Sequence, residues 1–258
     1  MNMKKIKAGI MALLPPSLAL FYRRKKQDFL NGLGASKDPE KTFSEIYSKG
    51  SWGAGGKFDS GTGTSSEKIT QDYVSCVGDD LQKLGLIGCP MVDLGCGNFS
   101  VGSKLAEFSR SMIAVDVVPS LIQHLRTVHE SEKIHFETCD LVCGSLPEGD
   151  IAFLRQVLQH LSNKQILQIL PKLKKYKVVY ITEHLPSIHS SSPNLDKKTG
   201  GDIRLAYGSG VYLDLPPFNL EGLEVILECP GHPMGGGIES GVIRTYRYAP
   251  SLSRIHPK

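Results

Sequence analysis

A short apolar run that ends in two glycines is the strongest constraint on this sequence. Residues 91–98 read Met-Val-Asp-Leu-Gly-Cys-Gly-Asn, which predicts a buried strand followed at once by a tight turn. Gly95 and Gly97 lack a Cβ, so the backbone there can adopt positive φ and lie against a ligand. Asp93 adds a carboxylate beside that gap. The stretch therefore predicts a binding pocket at the end of a strand.

A second carboxylate follows at a spacing that supports this pocket. Residues 101–108 predict the helix of a βαβ unit, and residues 112–115 predict the next strand, which ends at Asp116. An acidic residue about 20 positions beyond such a turn is where the hydroxyls of a ribose are accepted. Together, the turn and Asp116 predict a site for a nucleoside-containing ligand.

The alternation of strands and helices continues along the chain. Further strands are predicted at 134–138, 150–154, 177–183, 223–228 and 241–248. Strands separated by helices predict an α/β fold with a doubly wound, mostly parallel sheet, which binds ligands at the carboxyl ends of its strands. The last two strands predict an antiparallel hairpin that closes a seven-stranded sheet.

Composition narrows the class of protein. The chain has 258 residues, of which 40% are hydrophobic, enough for one α/β domain with an appendage. Its net charge is only +4, and the central region holds no lysine/arginine block, which argues against a nucleic-acid partner. The six cysteines form no C-x-x-C pair and predict reduced thiols in a cytosolic protein. No cluster of His and Asp residues has the spacing of metal ligands, so the sequence predicts no metal site.

The N-terminus combines basic and apolar residues. An apolar run at 8–22 is interrupted by Pro15-Pro16 and closed by the basic residues 23–26, which argues against a signal peptide. The run is also too short to span a bilayer. Three interpretations remain open: a helix packed on the domain or on a partner, reversible contact of residues 1–26 with the inner, anionic face of a membrane, or a targeting segment.

Residues 51–66 are rich in glycine and hydroxyl side chains and contain Trp52, the only tryptophan of the chain. This composition predicts an active-site lid with an aromatic anchor. The alternative is a surface loop whose tryptophan fills a gap in the core. The predicted organisation is thus an N-terminal helix at 1–30, a lid and a helix leading to the first strand at 31–88, and the main domain at 89–258, with a substrate-side insertion at about 185–220.

Residues 91–183 resemble class I S-adenosylmethionine-dependent methyltransferases motif by motif, and residues 92–97 are very close to the first motif of that family. The resemblance implies a Rossmann-like fold and S-adenosyl-L-methionine as the cofactor. It implies that the glycine loop wraps the methionine part, that Asp116 binds both ribose hydroxyls and that Asp140 accepts the adenine amino group. A backbone carbonyl near Arg155 or Gln156 would meet the cofactor's amino group. The implied cofactor-binding residues are Asp93, Gly95, Gly97, Asp116, Asp140, Leu141, Arg155 and Gln156.

NAD is the competing cofactor. Its fingerprint is G-x-G-x-x-G, and here Ser100 stands where the third glycine would be. Asp93 would also lie close to a pyrophosphate and repel it. Both observations favour a methyltransferase over a dehydrogenase.

Two histidines are candidates for the general base that helps a hydroxyl acceptor. His184 directly follows the fifth predicted strand, and His160 lies shortly after the fourth. Histidine titrates near neutral pH and therefore suits this role, although each could instead have a structural role.

The acceptor must be inferred from the appendages. The insertion mixes charged residues with tyrosines, a combination that suits a polar, hydroxyl-rich ligand. The candidate substrate residues are Trp52, Asp202, Arg204, Tyr207 and Tyr212. The alternative is that Asp202 and Arg204 form a surface ion pair while the tyrosines pack. The predicted function is methyl transfer to a hydroxyl of a small-molecule or glycan-type acceptor, with an RNA or protein acceptor as the alternative and a non-catalytic binding module as a remote one.

Overall fold

The computed structural model of the protein describes residues 14–32, 38–50, 52, 58, 66–187, 192–231 and 238–250. The predictions for residues 1–13, for most of the glycine-rich segment 51–66 and for the turn of the final hairpin lie outside these ranges. The strands are β1 (Pro90–Leu94), β2 (Ser111–Asp116), β3 (Ile134–Thr138), β4 (Ile151–Arg155), β5 (Val178–Leu185), β6 (Leu223–Pro230) and β7 (Val242–Tyr248).

The α-helices are α1 (Pro16–Gly32), α2 (Pro39–Ser48), α3 (Glu67–Lys83), α4 (Gly102–Leu105), α5 (Pro119–His129) and α6 (Asn163–Ile169). Short 3-10 helices cover Ala106–Phe108, Leu158–His160, Leu170–Lys175 and Arg204–Tyr207. α3 begins after Ser66, as its pattern predicts, and it buries Tyr73, Val77 and Leu81.

All seven strands form one sheet in the order β3-β2-β1-β4-β5-β7-β6. The first five strands are parallel, and β7 pairs antiparallel with both β5 and β6. This is the predicted Rossmann-like sheet with an antiparallel end. Because β1 lies between β2 and β4, the carboxyl ends of these three strands are neighbours, and ligands of parallel sheets bind at that edge.

The core is built on the central strands, which carry apolar side chains on both faces as parallel strands do. Every residue of β5 is buried. Phe153 of β4 stacks on Tyr180 of β5 with ring centroids 5.7 Å apart. A rigid, doubly covered sheet of this kind gives fixed positions to the side chains at its carboxyl edge.

Several local predictions need correction. The helix predicted at 101–108 is the short α4 followed by a 3-10 turn. Apolar residues at 157, 158 and 161 predict a helix after β4, but only the 3-10 turn Leu158–His160 forms there. The sequence predicts Asn163 as the cap of the next helix, but Ser162 and Gln165 form a capping box and Asn163 is the first residue of α6. The helical pattern of α3 places Asp80 outward, whereas Asp80 accepts hydrogen bonds from Tyr180 and Arg247. Pro171 predicts that the helix after Asn163 is kinked or divided there, and α6 does end at Ile169.

The N-terminal helix α1 starts at Pro16 and packs against the 3-10 helix 204–207 of the insertion. Arg24 Nε donates a hydrogen bond to the carbonyl oxygen of Tyr207 at 3.0 Å. Within the described ranges no helix is long and apolar enough to cross a membrane.

Candidate active site

The glycine turn after β1 is held against the end of β2. The backbone N–H groups of Gly95 and Cys96 both donate to the carbonyl oxygen of Val115, at 2.8 and 2.9 Å. Gly95 has a φ of 80° and Gly97 a φ of 52°, in the left-handed region that favours glycine. A Cβ built on Gly95 would lie 2.5 Å from Cγ2 of Val157. The turn is therefore a cradle that only a residue without a side chain forms without strain.

Asp116, at the end of β2, is bonded to this turn. Its carboxylate accepts hydrogen bonds from the N–H of Gly97 at 3.2 Å and from the N–H of Val118 at 3.1 Å. Burial raises the pKa of Asp116 to about 6, although these two N–H groups favour the ionised form. Each oxygen keeps a lone pair, so the carboxylate can still accept two hydroxyl groups of a ribose.

Asp93 lies under the first turn of α4. A Cβ on Gly102 would overlap the Asp93 carboxylate and the ring of Phe99, so this helix can begin here only with glycine. Burial raises the pKa of Asp93 to about 7, and the nearby Arg155 opposes that rise. Arg155 lies over the ring of Tyr73, with its Cζ 5.4 Å from the ring centroid. Gly102 and Tyr73 are not among the site residues that the sequence predicts.

Asp140 follows β3 and organises the next loop. One of its oxygens accepts from the N–H of Val142 at 2.7 Å, and the other lies 3.2 Å from Sγ of Cys143. Lys172 donates to the carbonyl oxygens of Leu141, Val142 and Gly144, at 3.0, 2.7 and 2.7 Å. Lys172 thus fixes the loop that presents Asp140. Its position within a lysine-rich stretch gave no signal in the sequence.

The segment after β4 lies against the glycine turn, where Val157 approaches Gly95. Gln156 has a φ of 56°, and its N–H donates to the carbonyl oxygen of Thr182 at 2.7 Å. Its side-chain Nε2 is buried and has no hydrogen-bond partner among the described residues. Glu183 accepts from the N–H groups of Leu158 and Gln159, both at 3.1 Å, and burial raises its pKa to about 8. Glu183 therefore holds the 3-10 turn that carries His160.

These features fit a nucleoside linked to an amino acid. The cradle at Gly95 follows β1 and lies against Val157 after β4, and Asp116 stands at the end of the neighbouring β2. Nε2 of Gln156 is a buried donor that has no partner in the part of the chain that the structure describes. Residues 27–179 match the family model described as an O-methyltransferase domain. The chain belongs to this family. It is an S-adenosylmethionine-dependent methyltransferase, with S-adenosyl-L-methionine as its cofactor.

Comparison with solved structures supports the fold of the methyltransferase. The magnesium protoporphyrin IX methyltransferase of Synechocystis PCC 6803, solved with S-adenosylhomocysteine, is 13% identical, covers 82% of this chain and 100% of its own, and superposes with a TM-score of 0.51. The N-methyltransferase NodS of Bradyrhizobium japonicum WM9 is 13% identical, covers 71% of this chain and 97% of its own, and gives a TM-score of 0.50. A search of curated proteins found no match.

The two candidate histidines of the methyltransferase lie in different surroundings. His184 is buried near the end of β5, where its Nε2 lies 2.5 Å from the carbonyl oxygen of Ser240. His160 directs Nδ1 at the carbonyl oxygen of Gly200, at 3.2 Å, and packs against Trp52 with ring centroids 5.1 Å apart. Burial lowers the pKa of His160 to about 3, so this imidazole stays neutral. His160 thus contacts Trp52, the predicted aromatic anchor.

The predicted substrate residues of the insertion are mostly buried. Arg204 donates to the carbonyl oxygens of Leu161 and Leu195, which ties the insertion to the segment after β4. Tyr207 and Tyr212 are buried, as the packing alternative expects, whereas Asp202 is exposed and accepts a hydrogen bond from the hydroxyl of Tyr207. No metal-holding group of His, Cys, Asp or Glu occurs within the described ranges.

The raised pKa of Asp116 predicts opposite effects of pH on stability and on cofactor binding. Because burial raises its pKa to about 6, above the ordinary value of an aspartate, the native state binds a proton more tightly than the unfolded state. Asp116 should therefore stabilise the ligand-free protein fully below about pH 4, and this contribution to the free energy of unfolding should be lost as the pH rises through about 6. Thermal unfolding at a series of pH values measures this.

The assignment of Asp116 to the ribose hydroxyls predicts the opposite change for cofactor binding, because hydroxyl groups donate hydrogen bonds to an ionised carboxylate. S-adenosylhomocysteine should bind about tenfold more weakly at about pH 5 than at about pH 7.5, since only about a tenth of a group with a pKa of about 6 is ionised at pH 5. Calorimetry gives the dissociation constants. An affinity that is equal at both pH values would contradict the assignment of Asp116.

Proposed function

We propose that the methyltransferase methylates a hydroxyl oxygen of a small-molecule or glycan-type acceptor. The observation that supports this most is an aromatic wall, formed by Phe43, Trp52 and His160. The Trp52 ring lies 5.6 Å from Phe43 and 5.1 Å from His160, and the Phe43 and His160 centroids are 6.2 Å apart. Of these three residues, His160 lies in the segment after β4, at the carboxyl edge of the sheet, and Phe43 and Trp52 pack against it. Aromatic faces beside a few polar groups suit a small ring or a sugar.

The residues of the chain divide the work of the reaction. The bound cofactor supplies a methyl group on a positively charged sulfur. Gly95, Gly97 and Asp116 would hold it, and Asp140 would fix its adenine. The protein then has to align the acceptor oxygen with the methyl group and exclude water. Proximity and correct orientation alone accelerate such a transfer strongly.

We assign different tasks to the two histidines. An Nε2–H of His184 that donates to Ser240 fixes the tautomer and makes Nδ1 the basic nitrogen. His184 is therefore our candidate for the base that takes the hydroxyl proton. His160 is a poor base because its pKa is lowered to about 3, and we assign it to the wall that orients the acceptor.

Paired substitutions separate these tasks. We expect His184→Ala to lower kcat by about 100-fold or more, the usual contribution of a general base, with little change in KM. His160→Ala should mainly raise the KM for the acceptor, because it removes one side of the wall. It should change kcat little, because His160 does not take the proton. Steady-state kinetics measure both, and calorimetry with S-adenosylhomocysteine controls for cofactor binding. Retained kcat in His184→Ala would remove the base assignment.

A methyl-transfer screen tests the acceptor class. The protein is incubated with S-adenosylmethionine carrying a ¹³C-methyl group and with pools of hydroxyl-bearing small molecules, sugars, RNA and protein. We expect label in a small-molecule or glycan fraction as a methoxy group, identified by NMR. Label as N-methyl, or label in RNA or protein alone, would contradict the proposal.

A further inference from the structure

Helix α1 presents an apolar stripe to the outside of the molecule. Leu18, Phe21, Tyr22 and Phe29 are 50%, 57%, 59% and 68% exposed. At 3.6 residues per turn these positions share about a third of the helix surface. We call them the α1 stripe. Lys25 lies within this arc, and its Nζ is 5.9 Å from the centroid of the Phe21 ring.

The opposite side of α1 faces the protein. Ala19 and Gln27 are buried there. Arg24 bonds to the carbonyl oxygen of Tyr207, and Leu20 lies against Gly208. The helix is thus anchored by one face, and the α1 stripe is directed away from that anchor. Exposed apolar patches of this kind mark interaction surfaces.

The charge around the α1 stripe indicates the kind of partner. The helix carries the four basic residues 23–26 against one acidic residue, Asp28, and residues 1–13 contain three lysines and no acid. Two copies of this helix facing each other would repel, because both are positive. An apolar stripe flanked by lysines instead suits a lipid surface with anionic headgroups, where apolar side chains enter the interface and lysines meet the phosphates.

We propose that α1 docks the methyltransferase on an anionic membrane surface through the α1 stripe, so that the acceptor is presented at that surface. The presentation of the acceptor at the membrane rests on the proposed function and on a chain of contacts. α1 is bonded to Tyr207 of the 3-10 helix 204–207, and Arg204 of the same helix donates to Leu161, the residue next to His160 in the aromatic wall. Docking by α1 therefore brings the wall's side of the molecule towards the lipid.

Co-sedimentation of the full chain with vesicles tests the docking. Vesicles of phosphatidylcholine alone are compared with vesicles that also contain phosphatidylglycerol, at low and at high salt. We expect binding to the anionic vesicles that weakens with salt. Phe21→Ser/Phe29→Ser and Lys25→Glu/Lys26→Glu should each bind them at least about tenfold more weakly. The matched control is Ile87→Ser/Val128→Ser, which changes exposed apolar residues elsewhere and should bind like the wild type.

Two results would overturn the docking: no sedimentation of the wild type with anionic vesicles, or equal sedimentation of Phe21→Ser/Phe29→Ser and the wild type. A concentration-dependent dimer that this variant abolishes would assign the α1 stripe to a second copy of the chain instead. Calorimetry separates this proposal from the proposed function. Phe21→Ser/Phe29→Ser should bind S-adenosylhomocysteine as the wild type does. A loss of vesicle binding without a loss of cofactor binding would therefore show that the double substitution affects membrane docking and leaves the cofactor site intact.

Discussion

Asp116→Ala is expected to weaken S-adenosylhomocysteine binding by about 100-fold or more. The carboxylate would accept both ribose hydroxyls, and each hydrogen bond to a charged group contributes about 1.5–3 kcal/mol. At about 1.4 kcal/mol per factor of ten, the loss of two such bonds corresponds to a factor of about 10² to 10⁴ in the dissociation constant. The substitution also removes the acceptor that holds the N–H groups of Gly97 and Val118, so the cradle itself should loosen. Isothermal calorimetry measures the affinity.

The control for this variant is Glu132→Ala, which removes an exposed carboxylate from the loop before β3 and should leave the affinity unchanged. Asp116→Asn keeps the side-chain volume and one carbonyl acceptor, so it reports on binding even where the alanine variant folds poorly. Circular dichroism confirms that each variant is folded. Unchanged affinity in a folded Asp116→Asn protein would show that Asp116 does not contact the ligand.

Gly95→Ala is expected to damage both the fold and the cofactor site. A φ of 80° in a residue with a Cβ costs about 1–2 kcal/mol, and overpacking costs about 1–3 kcal/mol. The new methyl group would lie 2.5 Å from Cγ2 of Val157. We therefore expect the free energy of unfolding to fall by about 2–5 kcal/mol, from the sum of these two effects. Cofactor binding should weaken by more than about tenfold, because the backbone can no longer approach the ligand closely.

Two further variants separate strain from overlap. Gly85 also has a positive φ, 66°, but a Cβ there would meet nothing within 4 Å, so Gly85→Ala should show the strain alone and no loss of binding. Val157→Ala should partly restore stability to Gly95→Ala by removing the overlapping methyl group. Chemical denaturation measures the unfolding free energies. Equal destabilisation by Gly85→Ala and Gly95→Ala would contradict the close packing of the cradle.

The outline of the cofactor site could be predicted because it depends on local signals and one geometric rule. Gly95 and Gly97 follow an apolar strand, and Asp116 and Asp140 follow the next two strands. Parallel strands place their carboxyl ends at one edge, so residues far apart in the sequence are expected together there. The antiparallel pairing of β6 and β7 was expected from the two final apolar runs, whereas the order of the strands, with β7 between β5 and β6, comes from the structure alone.

The supporting contacts could not be predicted, because they join segments that share no local pattern. Tyr73 of α3 meets Arg155 of β4, and Lys172 reaches the loop after Asp140. Gly102 was visible in the sequence, but only the packing of the Asp93 carboxylate explains why a glycine stands there. The surroundings of Arg204 could not be predicted either. Its charge suggested a substrate contact, and the structure places it, buried, against backbone carbonyl groups.

We propose that the cradle and the carboxylates at the sheet edge bind S-adenosylmethionine. The most direct test is a calorimetric titration of the full-length chain with S-adenosylhomocysteine, followed by the same titration with NAD. We predict saturable binding of one S-adenosylhomocysteine per chain and no heat of binding with NAD. Absence of S-adenosylhomocysteine binding by folded protein, or binding of NAD in competition with it, would contradict the account.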